Sequence, residues 1–509
     1  MIIILYIRIA KVKKLIQISE NSAVFFCDSY MNSEDFGALI RFNLAHEATE
    51  DQNLAIVSWL DFMMSSDPDG VFLLKGYAGT GKTSLVAAIV RTLQDMGMRT
   101  CLLAPTGRAA KVFSLYAGRT AYTIHKRIYR QRAITDMDTF QMNVNLHPDT
   151  LFIVDEASMI SAAPSMGANF GSGCLLEDLL QFVYSCHGCR LLLVGDSAQL
   201  PPVGEEESPA LSRDVLEGYG MNVTEVSMTQ VVRQSMESGI LCNATLIRTM
   251  LRSGEVFSFP KLRLSGFSDV VTVPGDELID CMEDSYRNCG RDGTIVVTRS
   301  NKRAVAFNGG VRSRIFCYEE PVCRGDMVMV ARNNYFWLNV GHEGEGEKGA
   351  SHPVEDFIAN GDIARVERIS NVREIYGFCF ADATLVFPDY DGREVCATVL
   401  LDTLQSESPS LTQEQQQHLF QSVWDDYPEI TNKRERMKAL RKDALYNALQ
   451  LKYAYAVTCH RAQGGQWQHV YVDQGYITED MLSPEYYRWL YTALTRATEK
   501  VFLVNWKNG

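Results

Sequence analysis

The stretch Gly76-Tyr77-Ala78-Gly79-Thr80-Gly81-Lys82-Thr83 fits G-x-x-x-x-G-K-[ST] at every position, and its flanks decide how it is read. Val71-Phe72-Leu73-Leu74 before it reads as an apolar strand, and Ser84-Leu85-Val86-Ala87-Ala88-Ile89-Val90 after it reads as a helix. Strand, glycine-rich loop and helix in that order bring backbone N–H groups against phosphate oxygens, with the positive end of a helix dipole behind them. Gly76, Ala78, Gly79, Thr80, Gly81 and Ser84 belong to this cradle. Lys82 would reach the β- and γ-phosphates, and the Thr83 hydroxyl would bind Mg²⁺. The stretch implies a nucleoside triphosphate site on an α/β fold.

Hydrolysis of a triphosphate needs acids downstream of such a loop. Leu151-Phe152-Ile153-Val154 is a second apolar run and ends in Asp155-Glu156. Asp155 would hold the metal, directly or through its water, and Glu156 would orient and deprotonate the attacking water. The plainer alternative is a carboxylate pair capping the following helix. Leu191-Leu192-Leu193-Val194 ends in Gly195-Asp196-Ser197-Ala198-Gln199-Leu200-Pro201-Pro202, where Gln199 could sense the γ-phosphate. Positive charge for the transferring phosphoryl group could come from Arg233 or Arg496, each of which alone would pass for an ordinary surface arginine. Upstream, Thr49 caps a helix running through Trp59, and Gln52 lies one turn inside it. Its amide both donates and accepts and so could read adenine, although a solvated glutamine is the ordinary case.

The chain of 509 residues exceeds one core, so several domains are expected. Apolar content of 46% and charged content of 22% are those of a globular protein. A formal net charge of −13 excludes a global basic footprint, so a nucleic-acid partner would need a local track. Thirteen cysteines without framework spacing suit reduced thiols. Cys186-His187-Gly188-Cys189 is a close pair lacking a second pair at zinc spacing, and reads as structural. The apolar start, Met1 to Ile7, precedes its basic residues and is short for a span. It therefore reads as an edge strand or a dispensable extension, with Met31 as an alternative start. A cytoplasmic protein without membrane contact is the expectation.

Short apolar runs alternating with helical stretches indicate a parallel sheet with polar residues at its strand C-terminal ends. Thr100 to Ala104 leads to Pro105-Thr106, and Thr123-Ile124-His125 follows. A second set of strand-like runs covers 294–298, 455–458, 469–472 and 501–504 without a phosphate loop of its own. Between them, 312–449 has β texture, including Met327 to Val330, Ile363 to Val366 and Ala383 to Phe387, and reads as an inserted β-barrel followed by a helical segment. Its basic run from Lys433 to Lys442 is a solvated face or a DNA contact. Alternation from Thr139 to Leu146 suggests a small hairpin carrying Phe140, either stacked on a base or buried in a core.

Taken together, these stretches resemble the superfamily 1 helicases, most closely their RecD/Dda-like branch. The resemblance runs from Gln52 to Val504. It rests on 76–83, 105–109, Asp155-Glu156, 195–201, Arg233, Thr458-Cys459-His460-Arg461-Ala462-Gln463-Gly464, and 491–496, in that order. It implies two RecA-like parallel-sheet domains, an SH3-like barrel inserted in the second and a small hairpin insertion in the first. The implied boundaries are an extension at 1–45, a first domain at 46–221 with its insertion near 126–149, and a second domain at 222–311 and 452–509 around a barrel at 312–451. It further implies ATP and Mg²⁺ as cofactors, with Gln52, Gly464, Arg233 and Arg496 joining the loop residues around the nucleotide. Pro105, Thr106, Thr123, His125, Phe140, Thr298, Arg299, Thr458 and His460 would line single-stranded DNA, mainly on phosphate and sugar. The implied activity is 5′→3′ translocation and duplex unwinding by a monomer, with a duplex fork as substrate and DNA repair or recombination proteins as partners. A RecD-like subunit of a nuclease complex, an ATP-gated nucleic-acid switch, and an RNA track stay open.

Overall fold

The computed structural model describes residues 33–44, 46–131, 140–164, 171–231, 237–334, 336–338, 358–390 and 392–506. They form two compact units, the first reaching Glu237 and the second running from Ser238, with Thr106–Arg108 grouped with the second.

The first unit is built on strands β1 (Gly70–Gly76), β2 (Arg99–Ala104), β3 (Ala121–Thr123), β6 (Thr150–Val154), β7 (Arg190–Gly195) and β8 (Asn222–Met228). All pair in parallel, in the order β3-β2-β6-β7-β1-β8. β1, β6 and β7 are apolar almost throughout because a central parallel strand is covered on both faces. On one face, alternate residues such as Phe72, Leu74, Ile153 and Leu192 join the helices α1 (Ser33–Asn43), α2 (Glu50–Met64) and α3 (Lys82–Asp95) in a single core with Phe36, Ile40, Trp59 and Val90. A separate two-stranded sheet joins β4 (Tyr129–Gln131) to β5 (Phe140–Met142), in the region read as a hairpin insertion.

Two expected boundaries move. α1 is not part of an extension ending at residue 45, because Phe36 and Ile40 are buried in the core and Asn43 Nδ2 donates to Thr92 Oγ1 at 2.9 Å. The first domain does not end at 221 either. β8 pairs with β1 along its whole length, from Gly70↔Asn222 to Gly76↔Met228.

In the second unit, β9 (Val270–Val273), β10 (Thr294–Thr298), β16 (Ala456–Thr458), β17 (Trp467–Asp473) and β18 (Ala497–Val504) form a parallel sheet of order β16-β10-β17-β18-β9. α4 (Leu278–Cys289) packs beside β10 and β17. Between the neighbours β10 and β16 the chain makes a closed barrel of β11 (Met327–Val330), β12 (Ile363–Ile375), β13 (Phe378–Phe387), β14 (Arg393–Leu400) and β15 (Leu449–Tyr453). The fold is therefore the expected α/β pair of parallel-sheet units with a barrel inserted in the second. Helices α5 (Gln413–Asp425) and α6 (Lys433–Arg441) leave the barrel between β14 and β15 and set Leu419, Val423 and Leu440 against Phe378, Phe380 and Leu400. The basic run thus lies on α6, where Arg436 donates to the Trp424 carbonyl and lies 4.5 Å over its ring.

A buried lock ties the barrel to the sheet. The Arg312 guanidinium makes two bonds to the fully buried Asp326 carboxylate, at 2.9 and 3.0 Å, and the Tyr455 hydroxyl donates to the same carboxylate at 2.8 Å. Among the described residues no helix is long and apolar enough to cross a membrane.

Candidate nucleotide and nucleic-acid sites

β1 delivers its last residue, Gly76, to the loop, and α3 starts at Lys82. The turn between them needs glycine twice, since Gly79 and Gly81 have φ of 76° and 79°, in the region side chains avoid. Gly76 is needed for closeness instead: a Cβ there would lie 2.7 Å from Lys82 Cγ and 2.9 Å from Thr80 Oγ1. The loop folds onto one carbonyl, that of Tyr77, which accepts from Thr80 Oγ1 at 2.8 Å and from Lys82 Nζ at 3.0 Å. Lys82 Nζ also stands 3.9 Å from Asp196 Oδ2. Sequence reading missed Asp196 as a partner of Lys82, because only the pairing of β1 with β7, which sets Lys75 against Gly195, brings the two strand ends level. Thr83 and Ser84 lie in the first turn of α3, with their side chains at least partly exposed.

Asp155 and Glu156 follow the end of β6, one strand away from β1 across β7. Asp155 keeps a partly open surface, but protein surrounds its carboxyl. Burial first, and the Glu156 charge second, push its pKa up to about 7. The Glu156 N–H donates to Asp155 Oδ1 at 2.9 Å. Glu156 itself has φ 52° and ψ 38°, a left-handed conformation that costs a non-glycine residue about 1–2 kcal/mol. Such strain, held at the end of a core strand, is what functional positions tend to store. Gln199 is 7% exposed and its Oε1 is a buried acceptor lacking a hydrogen-bond partner among the described residues.

Gln52 is fully buried and not solvated. Its Oε1 accepts from the Thr49 N–H at 3.0 Å, the Thr49 hydroxyl accepts from the Gln52 N–H, and its Nε2 reaches the Gly81 carbonyl at 3.5 Å. The residue closes the capping box of α2 and ties it to the phosphate loop. The neighbouring Asp51 accepts from the Thr229 and Gln230 N–H groups at 2.6 and 2.8 Å, fixing the chain just before Val231. Arg233 lies outside the described residues. Arg496, in the second unit, is 4% exposed, with Nε donating to the Thr492 carbonyl at 3.2 Å and Nη1 to that of Gly465 at 3.4 Å. Gly464 precedes it with φ 72°.

The residues expected to line a strand of nucleic acid fall at strand ends in both units. Ala104 pairs with Thr123, so Pro105 and Thr106 after β2 emerge beside Thr123 and His125 after β3. Thr123 caps the short helix that follows, accepting from the Lys126 N–H at 3.2 Å. Burial pushes the His125 ring down to about 4, so it is neutral near pH 7 and offers hydrogen bonds but no charge. In the second unit Thr298 pairs with Thr458, which brings Arg299 and His460 to one edge. The Thr298 hydroxyl is engaged with the Ser300 and Val457 carbonyls. Arg299 is exposed and lies 5.7 Å over Tyr486, while burial lowers the His460 ring. Phe140 sits on β5, and its side chain lies outside what is described.

These donors suit ATP with Mg²⁺. The half-open Thr83 hydroxyl and a carboxyl whose charge is penalised in bare protein fit a divalent cation, which would restore that charge. The orphaned Gln199 acceptor fits a bound water. A glycine-bent phosphate loop and an acidic strand end on a parallel sheet define a phosphate-loop nucleotide-binding unit. Comparison with known proteins narrows this. Residues 59–249 match the AAA domain family and residues 453–504 the UvrD-like helicase C-terminal domain. The chain is 26% identical over 447 residues to the ATP-dependent RecD2 DNA helicase of Deinococcus radiodurans, covering 84% of this chain and 46% of that protein. It is 24% identical over 276 residues to the ATP-dependent DNA helicase dda of Enterobacteria phage T4, covering 50% and 55%. The Pif1 helicase from Bacteroides in complex with ADP-AlF3 and ssDNA aligns with a TM-score of 0.44 at 16% identity, over 91% of this chain and 93% of that one. The chain thus spans about half the length of these two curated relatives. In sequence the chain is thus similar to superfamily 1 helicases of the RecD/Dda-like kind.

Proposed function

We propose that this protein is an ATP-dependent DNA helicase that translocates 5′→3′ on single-stranded DNA and unwinds duplex at a fork. The observation that carries the reading is the stowed Lys82 beside Asp196, one strand from an Asp155 whose charge awaits a cation. In this mechanism Lys82 leaves the Tyr77 carbonyl for the β- and γ-phosphates, and Glu156 takes a proton from the water that attacks the γ-phosphate; Thr83 and Asp155 would hold Mg²⁺, whose charge would offset that of the phosphates. Gln199 orients that water, Arg233 and Arg496 stabilise charge on the transferring group, and Gln52 reads the adenine edge once its Nε2 exchanges the long contact to the Gly81 carbonyl for the base. The threonines and basic groups at the strand ends hold phosphates irrespective of sequence, and Phe140 meets the fork.

Matches to DNA helicases named RecD2 and dda support the DNA track, while the direction rests on the resemblance of the motifs to the RecD/Dda-like branch. The test is strand displacement on partial duplexes with either tail, alongside ATP hydrolysis with and without single strands. A 5′ tail should support unwinding and a 3′ tail hardly any, with affinity for the tail falling steeply in salt. Preferential unwinding of 3′-tailed duplexes would refute the direction, and hydrolysis indifferent to single strands would refute the motor. Lys82→Ala should abolish turnover, and a variant that kept substantial activity would refute the active-site assignment.

A further inference from the structure

Away from these strand ends, the second unit brings together three residues distant in sequence. Cys289 closes α4, His469 lies near the start of β17, and Glu499 lies in β18 immediately before Lys500, the register partner of His469. One ligand atom from each, the Cys289 thiol, a His469 ring nitrogen and a Glu499 carboxylate oxygen, lie within 4.8 Å of one another. The pairing of Thr294 with His469 puts this cluster at the N-terminal edge of the sheet, away from the Thr298–Thr458 edge.

Three features around the cluster are those that second partners give to metal ligands. The Tyr471 hydroxyl donates to the Cys281 carbonyl at 2.6 Å, so it accepts from the Ser285 hydroxyl, also at 2.6 Å. With its single proton committed, Ser285 Oγ can only accept from His469 Nδ1, 2.9 Å away. His469 therefore carries its proton on Nδ1, leaving the Nε2 lone pair for a ligand. Gln468 Nε2 donates to Glu499 Oε1 at 2.9 Å and orients that carboxylate. Gly293 accepts from the His469 N–H at 2.9 Å, and a Cβ there would stand 2.4 Å from the Cys289 carbonyl, so only glycine lets the three segments meet.

We propose that Cys289, His469 and Glu499 form a site for one thiophilic divalent cation, zinc in kind, with water as its fourth ligand. Tetrahedral zinc holds thiolate, imidazole and carboxylate atoms about 3.3–3.7 Å apart. Closing the set from the present spacing takes about 1 Å of movement, which the exposed Glu499 side chain can supply. Bound metal would clamp the end of α4 to β17 and β18, independently of any nucleotide.

The test uses the full chain, saturated with Mg²⁺ and kept reduced by a non-chelating phosphine, titrated with cobalt(II). One equivalent should give thiolate-to-cobalt charge-transfer absorption, and zinc should displace it. Cys289→Ser should abolish the band with the far-ultraviolet dichroism unchanged. Glu499→Gln, at an exposed position that spares folding, should keep the band and weaken affinity tenfold or more. No band in the unaltered chain, a band that survives Cys289→Ser, or an affinity unmoved by Glu499→Gln would each overturn the site.

Discussion

Replacing Gly76 by alanine separates the chemistry of the phosphate loop from its flexibility. Gly76 ends β1, outside the left-handed region, so alanine can take up its backbone unstrained. What alanine adds is a methyl carbon 2.7 Å from Lys82 Cγ and 2.8 Å from Lys82 Cδ. Carbons pack at about 3.5–4.0 Å, so the Lys82 stem or the loop must move by about 1 Å. A displacement of that size at a reacting centre costs about a hundredfold in rate, or about 2.7 kcal/mol of transition-state stabilisation. Since the clash falls on a side chain at the loop and leaves the core intact, the melting temperature should shift by only a few degrees. The assay is kcat/KM for ATP at saturating single-stranded DNA, with binding of a fluorescent nucleotide measured in parallel. Gly118→Ala is the control: it has φ 66° and nothing within 4 Å of its Cβ, so it strains the backbone without touching the loop. Turnover by Gly76→Ala within about threefold of the unaltered protein would refute the claim that Lys82 must lie against this glycine.

Glu156→Gln should retain ATP and Mg²⁺ while slowing hydrolysis by about 10²–10⁴, read by filter binding beside turnover. Collapse of nucleotide affinity instead would make Glu156 structural. With Asp155 pushed up to about 7, a proton holds its carboxyl below that pH and Mg²⁺ must displace it. The Mg²⁺ concentration giving half-maximal hydrolysis should therefore rise toward tenfold per unit of pH below 7 and level off above it. Asp155→Asn should remove the slope, and equal half-saturation at pH 6 and pH 8 would refute the idea. The same shift makes the metal-free fold lose stability as pH rises from the ordinary carboxyl value of 3.8 to about 7, which melting across that range checks. Arg496→Ala should lower DNA-stimulated turnover by about a hundredfold or more with little change in nucleotide affinity, and Arg496→Lys should recover little because it lacks the planar fork. Equal loss of affinity and turnover would point to a structural role of Arg496 through its bonds to the Thr492 and Gly465 carbonyls.

The phosphate loop, the acids after β6 and the strand-end threonines could be read from the chain because each is a local pattern: an apolar run, then a residue type with one chemical use. β8 escaped because it is an edge strand of mixed exposure, and only pairing with β1 reveals its sheet. α1 escaped because its apolar residues are few and gain meaning only against Thr92 and the α3 core. Gln52 was noticed for its amide, but its burial in a capping box depends on how α2 approaches the loop. Asp196 stood inside a quoted stretch, yet its ion pair with Lys82 arises from strand register. Cys289, His469 and Glu499 share no spacing at all.

The Arg312–Asp326–Tyr455 lock bears on how the molecule could be trimmed. β10 and β16 are neighbours, so the barrel is topologically one long loop, and a short linker could in principle replace it. Excision would remove Asp326 and leave the Arg312 cation, 5% exposed, without its counter-charge. Breaking a buried pair in that way costs about 3–5 kcal/mol, a large part of what holds a domain together. A minimal motor engineered from this chain would therefore need its first substitution at Arg312, to an apolar residue, with Tyr455→Phe beside it, before any question of what the barrel contributes could be asked.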